Sequence, residues 1–376
     1  MTALIPRTDY ASLSECVYLN QASLGLLGQP AVEAMHRFLD DVARHGNLHM
    51  SDADEVGFFE QLRERAAGLF RADRDRIAIL SSASELLGQI PLLVPSTAGR
   101  KILAVATDFP AVTRPWLRLA AGGECEVQFV EDDPASDLTD DLVAALDPQT
   151  ALVAVSSVQY ATGTQLDVPR LQRAVNQAGA RLVIDATQAA GALAMDAAAW
   201  EADVVVSSGY KWLGGHGGVA LAVMAPPLLE RMPPLPGWMG APDPFDFDAK
   251  KILLADDARR YTQSTMSYVS IAGLTASLDQ LSSLGEAQIE THARRLSEKL
   301  IERVSKNGWR PFRDLSDRAA SPHIISLTRP DQELEATQEA LRTANVVCSS
   351  RGGRVRVSLA PYNDESDIDA LVAALG

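Results

Sequence analysis

The stretch R-L-V-I-D-A-T-Q-A-A-G (181–191), read with V-V-V-S-S-G-Y-K-W-L-G-G (204–215), decides the fold. Each is a short apolar, β-branched run that ends in polar groups. Such runs are buried parallel strands, covered on both faces, that deliver side chains to a cleft at their carboxyl ends. Similar runs recur outward from this pair at 76–80, 101–106, 125–130, 151–157 and 218–224, with the two central strands themselves at 181–187 and 204–208. Amphipathic segments lie between several of them, for example L-D-V-P-R-L-Q-R-A-V-N-Q-A (166–178). The alternation predicts βαβ units and an α/β fold, with one mostly parallel seven-stranded sheet flanked by helices.

The pattern changes after P-P-L-P-G-W-M-G-A-P-D-P-F (233–245), which reads as a long irregular loop near an active site or interface. From about residue 270 helices are expected at 270–284 and 286–307. Short strands come next near 324–327 and 355–359, then a helix at 365–375. The chain thus divides into a large unit (18–258) and a smaller C-terminal α/β unit (259–376), against which residues 1–17 pack. The acidic run E-D-D-P-A-S-D-L-T-D-D (131–141) reads as a solvated loop and helix start.

Composition narrows the function classes. With 376 residues, 47% hydrophobic and 22% charged, the chain has the balance of an ordinary globular protein. A formal net charge of -15 argues against nucleic acid or an anionic membrane as partner. No apolar stretch approaches the roughly 18 residues needed to span a bilayer, and the first residues carry no secretion signal. Cys16, Cys125 and Cys348 are scattered and odd in number, which fits a reducing cytoplasm and makes neither a disulfide framework nor a metal site.

A carboxylate at one strand end (Asp185) and a lysine just past another (Lys211) suit pyridoxal phosphate. A lysine amine forms a Schiff base with the aldehyde, and a carboxylate keeps the pyridine nitrogen protonated so that the ring withdraws electrons. The Asp185–Gln188 pair and the S-G-Y-K block resemble the class V aminotransferase family of fold-type I pyridoxal-phosphate enzymes, which includes cysteine desulfurases, isopenicillin N epimerase and kynureninase. The resemblance runs nearly end to end, from Y-L-N-Q-A-S-L-G (18–25) to R-V-R-V-S-L-A-P-Y-N (354–363).

The resemblance implies roles residue by residue. Lys211 is the Schiff-base lysine and proton carrier, Asp185 the partner of the pyridine nitrogen, and Gln188 the contact to the phenolic oxygen. Ser208 and Tyr210 hold the phosphate with their hydroxyls. Ala83 and Ser84, in S-S-A-S-E-L-L-G (81–88), join them at a helix start, where free amides favour an anion. Phe109, in T-D-F-P-A-V (107–112), stacks on the ring, and Tyr160, in Q-Y-A-T-G-T (159–164), faces the cofactor or substrate. Thr265, in R-R-Y-T-Q-S-T-M-S (259–267), reaches a partner's phosphate, which implies a homodimer with a shared active site. Arg356 binds the substrate α-carboxylate as a planar fork. Asn20, Ser23 and Arg351 line the substrate pocket. Trp116, Trp238, Met239 and Phe245 are candidates for an apolar wall, and His216 in G-G-H-G-G (214–218) has no role assigned.

One departure matters. Desulfurases of the family carry a sulfur-accepting cysteine on a loop before the carboxylate-binding arginine. Here that interval is S-S-R-G-G-R (349–354), without cysteine, and Cys348 just upstream reads as a small buried hydrophobe. The expected reaction is therefore β-elimination by a carbon–sulfur lyase on a cysteine conjugate or its S-oxide. Transamination and epimerisation remain open, cysteine desulfurisation is disfavoured, and a non-catalytic cofactor-binding scaffold is a rival of another class. A dinucleotide-binding oxidoreductase lacks its G-x-G-x-x-G after the first strands.

Overall fold

The computed structural model describes residues 2–94 and 100–376. All seven expected strands form, and they assemble into one sheet. Its spatial order is Ile77–Leu80, Ala220–Met224, Val204–Ser208, Arg181–Asp185, Thr150–Ser156, Arg100–Val105 and Cys125–Val130. Only Ala220–Met224 runs against its two neighbours; every other adjacent pair is parallel. Side chains alternate between the two faces with the pleat. Ile77, Leu103, Val153, Leu182 and Val205 enter one core, while Ala78, Ile102, Leu152, Val183 and Val204 enter another. Burial on both faces explains why these strands read as unbroken apolar runs.

A second, antiparallel sheet has the order Ser349–Arg351, Arg354–Ser358, Ile324–Thr328, Arg310–Pro311. Leu296 and Leu300 from the helix Glu286–Val304, and Ile368 and Leu371 from Glu365–Leu375, share one core with its Val355 and Val357. The start of the chain is tied to this region. Val17–Tyr18 pairs in parallel with Val346–Val347, and Arg7 forms an ion pair with Asp367 at 2.7 Å. Helix Tyr268–Leu284 packs instead against Gln29–His45 and Asp52–Phe70.

The acidic run is only partly a solvated loop. Asp137 caps the helix Leu138–Ala145 as a surface residue would, but Asp132 is buried and forms an ion pair with Arg313 at 2.9 Å. Thr162 and Thr164 donate hydroxyls to the same carboxylate at 2.6 and 2.9 Å. Burial was compensated by partners that lie far away in sequence, so composition alone misjudged the run. Two members of the expected apolar wall are also core: Trp116 and Met239 are buried in separate clusters. Trp238 and Phe245 instead meet edge to face, 5.7 Å apart, with Phe247 beside both.

Candidate active site

The site lies where the parallel strands end. Asp185 is the last residue of Arg181–Asp185 and stands in register with Ser156 and Val206 on the flanking strands. One carboxylate oxygen accepts the Thr187 amide at 2.8 Å, and no cation lies within ion-pair distance of it among the described residues. Burial raises its pKa, opposed by the Thr187 bonds and by the charge on Lys211. Lys211 lies beyond Val204–Ser208 on a tight turn and is itself buried. Its Nζ sits 5.3 Å from the centre of the Phe109 ring and 5.8 Å from that of Tyr210. Burial pulls its pKa down to about 8; Asp185 opposes the shift, and Arg356 and Arg351 add to it. The shift enlarges the neutral fraction that a nucleophilic amine needs.

The N-terminal segment holds this turn from behind. Gly25 donates its amide to the Tyr210 carbonyl at 2.9 Å, and Gln21 Nε2 donates to the Lys211 carbonyl at 2.8 Å. A Cβ on Gly25 would lie 2.2 Å from the Lys211 carbonyl oxygen, so only glycine permits the approach. Gln188 is also engaged by protein: Nε2 donates to the Ala22 carbonyl at 3.0 Å, and Oε1 accepts the Trp212 indole N–H at 2.7 Å. One Nε2 hydrogen is left for a ligand.

Phe109 precedes the helix Pro110–Ala121 and exposes 38% of its surface. Its ring meets Tyr160 edge to face at 5.4 Å. The carbonyl of Tyr160 accepts Arg356 Nη1 at 2.7 Å. Arg356 is almost fully buried, and its Nη2 reaches Asn20 Oδ1 at 3.5 Å and the Ser23 hydroxyl. Arg351 Nη2 approaches the same hydroxyl at 3.5 Å. Neither arginine has an acidic partner among the described residues, and Arg356 Nε has no hydrogen-bond partner at all. Burial first, then the neighbouring Arg351, lowers the Arg356 pKa to about 10. Two adjacent guanidiniums without an acid form a receptor for an anion.

The structure thus gathers Lys211, Asp185, Gln188, Phe109, Tyr160, Tyr210, Arg356, Arg351, Asn20 and Ser23. Ser208 ends its strand, its amide donating to Thr187 Oγ1 at 3.1 Å. Ala83 and Ser84 open the helix Ala83–Leu93, which packs on Val204–Ser208. Ser82 Oγ caps that helix through the Glu85 amide, and the Glu85 carboxylate takes the Ser81 amide at 3.0 Å. The first amides of this helix carry the partial positive charge expected of an anion site. Thr265 stands apart, exposed before Tyr268–Leu284, and His216 is exposed with its ring bonded only to the Gly217 carbonyl. Cys348 falls between Val346–Val347 and Ser349–Arg351, half-buried, its thiol pushed up to about 12 by burial.

Sequence reasoning missed two buried residues. Asp108 accepts the Ser156 amide at 2.7 Å, the Phe109 amide at 2.6 Å and Gln159 Nε2 at 3.3 Å; burial nonetheless raises its pKa to about 6. It fixes the bend that presents Phe109. His323 donates Nε2 to the Gln188 carbonyl at 2.6 Å and packs edge to face on Trp212 at 4.6 Å, with burial lowering its pKa to about 4. The T-D-F-P motif contained Asp108, but no local signal pointed to His323.

The family profile described as Aminotransferase class-V matches residues 17–371. The chain belongs to the class V aminotransferase family. It is a pyridoxal-phosphate enzyme of fold type I. A probable cysteine desulfurase of Methanothermobacter thermautotrophicus is 26% identical over 383 residues, covering 97% of this chain and 95% of that one. A kynureninase of Bacillus thuringiensis subsp. konkukian is 27% identical over 333 residues, covering 85% and 78%. The solved complex between the cystine C-S lyase C-DES and its product cysteine persulfide superposes with a TM-score of 0.86 at 23% identity, covering 97% and 98%. At that identity the likeness speaks to fold.

Proposed function

We propose that this enzyme is a carbon–sulfur β-lyase acting on an S-substituted cysteine or its S-oxide. The observation that carries the reading is the hairpin at the anion receptor. Ser349–Arg351 and Arg354–Ser358 are joined by Gly352 and Gly353 alone, with φ of 53° and 76°. Positive φ at both positions makes a tight turn with no room for a mobile loop. A sulfur-accepting cysteine therefore has no place there, and the thiol of the half-buried Cys348 has its pKa pushed up to about 12. Sulfur must leave with the substrate's own group.

The residues fit the cofactor. A buried carboxylate without a cation, a buried amine with a lowered pKa and an aromatic ring beside that amine suit a flat, protonatable ring. When bound, pyridoxal phosphate supplies an aldehyde that captures an amino group and a ring that stabilises negative charge at the substrate α-carbon. Lys211 would hold it covalently, Asp185 would face its ring nitrogen, Gln188 its phenolic oxygen and Phe109 its plane. Ala83, Ser84, Ser208 and Tyr210 would take the phosphate, with Thr265 of a second copy completing the site in a homodimer. The units 18–258 and 259–376 would then meet at the cleft, and the enzyme would work in the cytoplasm.

In this reading Arg356 and Arg351 anchor the α-carboxylate, aided by Asn20 and Ser23. Lys211 Nζ removes the α-proton. The Cβ–S bond breaks with the electron pair on sulfur, giving a thiolate, or a sulfenate from an S-oxide. Water completes the balance, and the carbon skeleton leaves as pyruvate and ammonia. Phe109 carries no proton, so the acid–base work falls on Lys211. Elimination needs only one such base. The test is to supply cysteine conjugates to the holoenzyme and measure pyruvate and free thiol in equal amounts. An amino group retained by the protein with release of the 2-oxo acid, or inversion with the amino acid intact, would refute elimination.

A further inference from the structure

We propose that Asp41, His45 and His49 bind a divalent first-row transition cation, with Zn2+ as the reference case. Asp41 and His45 stand four residues apart at the end of the helix Gln29–His45, on one face. Gly46 then ends the helix with φ 59°, a conformation that favours glycine, and donates its amide to the Val42 carbonyl at 2.9 Å. Two turn bonds shape the short connector beyond it: Leu48 N–H to the His45 carbonyl at 3.1 Å and Met50 N–H to the Asn47 carbonyl at 3.0 Å. Ser51 and Asp54 cap the next helix, Asp52–Phe70, with a reciprocal pair of bonds. The connector is therefore held at both ends, and it returns His49 over His45.

The outcome is convergence on one oxygen. His45 Nδ1 lies 2.9 Å and His49 Nδ1 2.8 Å from Asp41 Oδ1, and the two rings sit 4.2 Å apart. All three ligand atoms lie within 4.8 Å of one another. Zinc bound tetrahedrally at about 2.0–2.1 Å from each donor needs those donors roughly 3.3 Å apart. The two nitrogen–oxygen separations must open by only a few tenths of an ångström, and the two nitrogens already lie within 4.8 Å of each other. If each ring moves its proton to Nε2, the two Nδ1 lone pairs and the carboxylate face one point, and the Asp41 charge offsets half that of the cation. An imidazole–carboxylate set suits Zn2+, Co2+, Ni2+ or Cu2+ over Mg2+ or Ca2+. The solvent side leaves a coordination position for water. An ordinary i,i+4 surface pair accounts for His45 but not for His49, which comes from outside the helix to the same atom.

The full-length holoenzyme, without a polyhistidine tag, is titrated with Zn2+ by calorimetry and with Co2+ by visible absorption. A single cation per chain is expected, with cobalt d–d bands and a raised melting temperature. His45→Ala and His49→Ala should each weaken binding by roughly tenfold or more, and the double variant should lose the bands. Equal affinity in the native protein and the folded double variant, checked by circular dichroism, overturns the site. So does the absence of binding to the folded native protein.

Discussion

Two buried arginines sit in opposite electrostatic conditions. Arg313 is saturated: Nε meets Thr164 Oγ1, Nη1 the Ser136 carbonyl and Asp317, and Nη2 Asp132 and the Asp133 carbonyl. Arg356 is as deeply buried, yet it bonds only neutral oxygens, leaves Nε unused and has another guanidinium beside it. The first arrangement is finished and holds segments together. The second lacks an anion, as Asp185 nearby lacks a cation within ion-pair distance and Lys211 a paired carboxylate among the described residues. Desolvated charge that lacks its counterpart costs stability, so a fold retains it where a ligand supplies the missing partner.

The contrast is open to attack at several points, beginning with the greatest expected effect. Lys211→Ala should abolish turnover and the visible absorption of lysine-linked cofactor; survival of both in the purified variant would break the assignment. Arg356→Leu should lower kcat/KM for amino-acid substrates by roughly a hundredfold, the worth of about 1.5–3 kcal/mol for charged hydrogen bonds, with the melting temperature unchanged or higher. Arg313→Leu should behave the other way. Removing one member of a buried pair costs about 3–5 kcal/mol, measurable by urea denaturation, while cofactor absorption in the folded fraction persists.

Gly25→Ala, through its contact with the Lys211 carbonyl, should cost about 1–3 kcal/mol and shift the cofactor band. The mildest test is pH. The Lys211 pKa of about 8 lies below that of a free lysine, so the amine becomes neutral as pH rises through about 8. Capture of added cofactor by the apoenzyme should accelerate with a midpoint there, tracked by stopped-flow absorbance; a midpoint above about 10 would mean an exposed amine.

The sheet was readable because strands buried on both faces carry mostly apolar residues, and Asp185 and Lys211 stood out as polar groups at or just past the ends of such runs. Phe109, Arg356 and the cysteine-free turn came into view through the family resemblance, at motifs that adjoin recognisable strands. Asp132 and His323 were not. Their meaning depends on Arg313 and on Gln188 with Trp212, and the Asp132–Arg313 and Gln188–His323 bonds span 181 and 135 positions; local pattern holds no record of such pairings. Trp116 and Met239 stayed open between wall and core for a related reason, since an aromatic or thioether side chain looks alike in a core and beside a cleft.

Gln21 carries a consequence for how the enzyme comes into being. Its amide nitrogen supports Lys211, and its amide oxygen receives the Tyr362 hydroxyl at 2.7 Å. A ribosome delivers Gln21, Lys211 and Tyr362 in that order, each separated from the next by more than a hundred residues. The strands of the large sheet all precede residue 225, but the cradle of the reactive amine closes only once Tyr362 has emerged. Products truncated before Tyr362 should therefore lack one support of that cradle and hold the cofactor less firmly than the longer chain.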